Sequence, residues 1–252
     1  MSLVYLRDKL TEVCLRHVLN DDMDVVIPEP YIPYIPERWN GTLVLAESQN
    51  LGKRSSGYCA WLMGVDQNTR IRRLGLYDGV GVQPWDDSSL KIALEAALCI
   101  SAGETAVSNA VLWSQTDERS RNRNPSALLS ERSSSLWSEM LQILKVKHIV
   151  TAGKIADKVI TSALQKSDMQ LRHTILRLPS PQALSRISGM FKDADLLRRY
   201  PEVCTVIEAN PDWVSKQRRN KIFFAYHAVS QTSVKGVFWR LRYRKFNSLF
   251  FG

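Results

Sequence analysis

Four short stretches set polar side chains where a chain could use them chemically. In "VLAESQN" (44–50) Glu47 closes an apolar run and is followed by Ser48, Gln49 and Asn50. A carboxylate in that position can orient a water and take its proton, and the three residues after it offer hydrogen-bonding groups to a ligand. In "VSNAVLW" (107–113) Asn109 carries both an amide donor and an acceptor, the combination that reads the polar edge of a heterocycle. "HIVTAGKIA" (148–156) ends an apolar run on Gly153-Lys154. "LRLPSPQALSRISGMF" (176–191) breaks at Pro179-Ser180-Pro181. Proline fixes φ and pushes its predecessor out of the helical region, so the triplet is a rigid turn. Its Ser180 hydroxyl, with Arg186 on the segment that follows, can pinch a phosphate at little ordering cost.

These groups can act together only if the chain brings them to one place. Residues 3–19 read as a helix, with Leu3, Leu6, Leu10, Cys14 and Val18 on one side. The four prolines of "IPEPYIPYIPERWNG" (27–41) forbid regular structure, and this stretch is expected to run extended over the surface. Strands are expected at 42–46, 105–111, 148–153 and 173–178. Helices are expected at 127–144, after Gly153 and at 182–191, with a further one through "LKIALEAALCI" capped by Ser88 or Ser89. "GYCAWLMG" (57–64) fits either state, and 114–126 reads as loop. Strands alternating with helices imply parallel β-α-β units. The expected fold is therefore a three-layer α/β/α domain around a central, mainly parallel sheet. Three of the polar stretches then follow carboxyl ends of strands and Ser108-Asn109 lies within one, so all four converge on the crevice where open sheets bind their ligands. We expect one domain over 1–252, with a helix and Pro-rich lead-in over 1–40 and a basic extension over 213–252.

Charge identifies a class of partner. The net charge is +9, and after Asp212 no acidic residue occurs while nine lysines and arginines do. In "FWRLRYRKF" Arg240, Arg242 and Arg244 alternate with Leu241 and Tyr243. A strand would set those guanidinium groups on one face roughly 7 Å apart, a spacing suited to a phosphate backbone. DNA is the expected partner. No apolar run approaches membrane-spanning length, and the first residues mix charges into a helical pattern, so no membrane association is expected. Cys14, Cys59, Cys99 and Cys204 match neither a disulfide framework nor zinc spacing. The expectation is a cytoplasmic, monomeric protein without metal or cofactor. "GVGVQPW" and "AGKI" lack the dinucleotide and phosphate-loop patterns, and no GxSxG elbow occurs.

Taken in order, "VLAESQN", "VSNAVLW", "ILKVKHIVTAGKIA" and "LRLPSPQALSRISGMF" resemble the uracil-DNA glycosylase superfamily over about residues 40–192. The first is most like that superfamily's GEAPG form of the water-positioning motif, with Glu47 at the acidic position. The second is similar to "TNAVKC", whose Asn reads the flipped pyrimidine, here Asn109. The third looks like "LKPKVIVALGKVA", and the Pro-Ser-Pro triplet resembles the HPSP minor-groove loop. The resemblance implies base flipping and hydrolysis of an N-glycosidic bond, with Glu47 and Asn109 catalytic. It also implies base contacts from Ser48, Gln49, Asn50 and Asn109, and DNA contacts from Pro179, Ser180, Pro181 and Arg186.

Two positions depart from that pattern. The usual His before Pro-Ser-Pro is Leu178, which cannot donate to a departing base; Arg177 and His173 are the nearest substitutes in sequence. The first motif also lacks the aromatic that walls off a carbon-5 substituent, Tyr58 standing well downstream. Such a pocket would admit a carbon-5-modified pyrimidine, and the superfamily includes an antiviral branch that attacks glucosylated hydroxymethylcytosine in phage DNA. The close cysteine pair of the iron–sulfur relatives is absent. A plain uracil enzyme of base-excision repair and a catalytically silent DNA-binding protein with the same fold are the alternatives.

Overall fold

A computed structural model describes residues 2–20, 25–49, 51, 57–73, 94, 98, 100–115, 124–176 and 233–234. Helix α1 (Leu3–Arg16) starts on Ser2, whose hydroxyl accepts from the Tyr5 N–H. It stops one turn short of the periodic pattern, with His17 as its C-cap. Strand β1 (Thr42–Ser48) is followed by α2 (Gly57–Gly64), which resolves the ambiguous apolar stretch as helix, and by the short α3 (Gln67–Ile71). Then come β2 (Ala106–Val111), α4 (Ala127–Leu144), β3 (His148–Ala152), α5 (Lys154–Lys166), β4 (Arg172–Leu176) and a two-residue β5 (Ser233–Val234).

The sheet order is β2-β1-β3-β4-β5. The first four strands are all parallel, and only β5 runs antiparallel, against β4. The architecture is three-layer α/β/α. Leu43, Leu45 and Ile149 face a large core shared with α1, α4 and α5, including Trp137, Met140, Ile160 and Ala163. Val44 and Val150, which alternation turns to the opposite face, are also fully buried, so the sheet is covered on both sides. Buried on both faces, the strands read as continuous apolar runs.

One expectation fails. The Pro-rich lead-in is not a surface strap, because Ile27, Tyr31, Ile32 and Ile35 are buried. Tyr34 exchanges both backbone hydrogen bonds with Val107 in an isolated antiparallel bridge, closing the outer edge of β2. The prolines forbid a long ladder but allow one bridged residue and a buried apolar face. The helices expected at 182–191 and after Ser88 or Ser89 lie outside the described residues, apart from Leu94, Leu98 and Ile100.

Candidate functional site

The carboxyl ends of β1, β2 and β3 form one rim, and Glu47 is anchored there by the helix it faces. Gly153 takes φ +96°, a left-handed-side value that lets β3 turn directly into α5. Having no side chain, it cannot cap the helix it starts. Glu47 does so instead, its Oε1 accepting from the Ile155 N–H at 3.2 Å. A carboxylate at a helix N-terminus also gains from the helix dipole. The fit is close: a Cβ on residue 153 would stand 2.3 Å from Glu47 Oε1 and 2.7 Å from its carboxyl carbon. Among the described residues no donor reaches Oε2, which leaves that oxygen for a water. The Gly153 N–H donates to the Leu176 carbonyl at 2.9 Å, so β4 ends at the same rim.

Asn109 stands on the neighbouring strand, paired in register with Ala46, one residue before Glu47. Alternation turns the two side chains to opposite faces of the sheet, Glu47 toward α5 and Asn109 toward the lead-in. Asn109 Nδ2 donates to the Tyr31 hydroxyl at 2.5 Å. Tyr31 is fully buried, and the Arg73 guanidinium carbon lies over its ring, 3.8 Å from the centroid. Burial pushes the Tyr31 hydroxyl's pKa up, against the opposing pull of Arg73, Asn109 and Ser108. Tyr58 of α2 comes back to this side: burial raises its pKa as well, and Arg73 and Gln49 beside it oppose the rise. The sequence spacing had set Tyr58 apart from the first motif, but the fold returns it to Gln49.

Of the residues expected in the site, Glu47, Ser48, Gln49 and Asn109 gather at the rim. Ser48 pairs in register with Val111; Gln49 is buried, and its carbonyl accepts from the Ser114 hydroxyl at 2.7 Å. Asn50, Pro179, Ser180, Pro181, Arg186, Arg240, Arg242 and Arg244 lie outside the described residues, as do Arg177 and Leu178. His173 sits on the second residue of β4, its Nε2 2.8 Å from Thr151 Oγ1 and 3.7 Å from Asp157 on α5. It is engaged below the rim, so it is a poor stand-in for a donor at Leu178. Sequence reasoning missed Tyr31, hidden in a stretch read as a surface strap, and Arg73. The signal for Arg73 was the run "RIRR" (70–73) ending a short helix, which the apolar patterns did not pick out.

Among the described residues no helix is long and apolar enough to cross a membrane. Nor do three or more His, Cys, Asp or Glu side chains stand together there as metal ligands. Compared with known proteins, the chain matches no family model and no curated protein.

Proposed function

We propose that the chain is a monofunctional DNA glycosylase that flips out a pyrimidine and hydrolyses its N-glycosidic bond. The substrate is a carbon-5-modified pyrimidine, glucosylated hydroxymethylcytosine of phage DNA being the leading candidate and antiviral defence the setting. The observation that carries this reading is the placement of Glu47 and Asn109 toward the carboxyl ends of adjacent strands, facing away from each other. Hydrolysis at C1′ needs a water on one side of the sugar and the departing base on the other. A sugar seated over the rim meets both requirements, with Glu47 on the α5 side and Asn109 on the Tyr31 side.

In the reaction the C1′–N bond breaks with its electron pair leaving on the base. The water oxygen bonds to C1′ and its proton passes to Glu47, which also stabilises the cationic sugar. That proton then goes to the base anion, restoring the carboxylate. Asn109 pairs with the polar edge of the extruded base, repaying part of the few kcal/mol that unstacking costs. Pro179, Ser180, Pro181 and Arg186 would grip the flanking phosphates, and Arg240, Arg242 and Arg244 the backbone beyond.

The test is incubation with duplex and single-stranded DNA carrying uracil, hydroxymethylcytosine or glucosylated hydroxymethylcytosine, followed by alkali. Strand cleavage at the modified base supports the reading, and cleavage at uracil alone makes the chain a repair enzyme. Glu47→Gln and Asn109→Ala should cut turnover far more than DNA affinity. A silent DNA-binding protein is the second reading, favoured by the capping bond of Glu47, a purely structural use of the carboxylate. Intact DNA on every substrate, with salt-sensitive binding retained, would establish it.

A further inference from the structure

Three arginines close together at the end of α3 meet different fates. Arg70 forms a bidentate pair with buried Glu29, Nε and Nη2 each 2.8 Å from a carboxylate oxygen. Arg72 reaches Asp8 at 2.6 Å. Among the described residues Arg73, only 2% exposed, meets no carboxylate, and its Nε and Nη1 have no hydrogen-bond partner. Its contact is the face of Tyr31, whose hydroxyl receives the Asn109 amide. The buried Ser108 hydroxyl on the same strand stands beside the Tyr31 hydroxyl without a close hydrogen bond among the described residues.

A buried guanidinium with two donor nitrogens unsatisfied among the described residues weakens the fold. An anion arriving there would complete it with charge-assisted hydrogen bonds. We propose that Arg73, with Tyr31, Ser108 and Asn109, forms an anion-receiving site that takes an anionic pyrimidine. The identity of that ligand rests on the glycosylase reading: bond cleavage leaves the electron pair on the base, on the side of the sugar away from Glu47, where Asn109, Tyr31 and Arg73 stand. A fixed cation there supplies the stabilisation that Leu178 cannot. Asn109 is half-buried, and Tyr31 joins its amide to the Arg73 guanidinium.

The experiment compares the full chain with its Arg73→Met and Arg73→Lys variants. The first readout is thermal unfolding with barbiturate, a pyrimidine that is anionic at neutral pH, or with neutral uracil. Wild type should be stabilised more by barbiturate than by uracil. Arg73→Met should unfold at a higher temperature than wild type without ligand, since a buried unpaired charge is gone, and should lose the barbiturate shift; Arg73→Lys should keep part of it. The second readout is single-turnover excision, expected to fall about 100-fold in Arg73→Met with DNA affinity unchanged. The proposal is overturned by the absence of a barbiturate shift in wild type. The same shift in Arg73→Met, or a lower unfolding temperature for that variant with the shift retained, also overturns it. If wild type excises nothing yet shows the Arg73-dependent shift, the glycosylase reading falls and the anion site stands. If Arg73→Met excises at the wild-type rate, the reading stands and the anion site falls.

Discussion

Replacing Gly153 by alanine tests the joint between β1 and α5 most directly. The new methyl would have to occupy space now held by the Glu47 carboxyl group, 2.3 Å from Oε1 and 2.8 Å from Cγ. Two costs follow. Holding a residue with a Cβ at φ +96° and ψ 167°, a region essentially reserved for glycine, costs about 1–3 kcal/mol. Expelling the carboxylate forfeits its bond to the Ile155 N–H and its place at the helix N-terminus, about 1–1.5 kcal/mol. Gly153→Ala should therefore lose about 3 kcal/mol, and Glu47→Ala about 1–1.5 kcal/mol by the same capping argument. The double variant has no carboxylate left to displace, so it should be about as stable as Gly153→Ala alone rather than the sum. Urea unfolding of the four proteins at constant m-value measures this coupling, about 1–1.5 kcal/mol. Additivity within about 0.5 kcal/mol would refute the reasoning, since it would mean that Glu47 does not occupy the space above Gly153.

The remaining expectations draw on other parts of the molecule. His148 is buried against Thr174 Oγ1 at 2.9 Å, and burial, then Arg172 and His173, lower its pKa from 6.5 to about 4. The unfolded chain thus takes up a proton near pH 6.5 that the folded chain refuses, so stability falls as pH drops from about 6.5 to about 4. At full effect this amounts to about 3 kcal/mol, and His148→Gln should flatten the profile over that window in denaturation measured at pH 7.5 and 4.5. Tyr31→Phe keeps the ring under Arg73 but removes the hydroxyl that orients the Asn109 amide. Unfolding should show a loss of about 1 kcal/mol, and excision should fall more than DNA affinity does. The Arg240/Arg242/Arg244 triple alanine variant should bind DNA more weakly, with a salt slope shallower by up to about 3 units in log–log titrations; an unchanged slope would remove the C-terminal arginines from the interface.

Elements whose apolar positions follow a local period were legible in the sequence. The helix at 127–144 has the expected bounds and buries Leu136, Trp137, Met140, Leu141 and Leu144 as its spacing required. The strands at 42–46, 105–111 and 148–153 also occur, because sheets buried on both faces demand unbroken apolar runs. Glu47 could be picked out because a polar group closing such a run must sit at a strand end, and Asn109 because it interrupts an otherwise apolar run within a strand. What could not be read depends on contacts between distant segments. The closure of the β2 edge by Tyr34 at Val107 and the burial of Arg73 over Tyr31 join residues far apart in the chain, and the return of Tyr58 to Gln49 comes from a stretch without a period. The prolines around Tyr31 were sound grounds against a strand, but they say nothing about burial.

The two halves of the rim differ in how they are held, and this has a consequence for their energetics. On the α5 side a carboxylate is fixed by a backbone N–H and by the absence of a side chain at Gly153. On the other side an amide is held by a buried phenol over whose ring a guanidinium lies, with no backbone partner among the described residues. The sheet between them, with Val44, Leu45 and Val150 fully buried, separates the two groups, and among the described residues they share no hydrogen-bond partner. Gly153→Ala and Tyr31→Phe share no contact, so their costs should add to within about 0.5 kcal/mol in urea unfolding, whereas Gly153→Ala with Glu47→Ala should not. Coupling above about 1 kcal/mol between Gly153 and Tyr31 would mean that the sides deform together. A water positioned from one face and a base held from the other could not then be tuned separately, and the division of labour argued for Glu47 and Asn109 would fail with it.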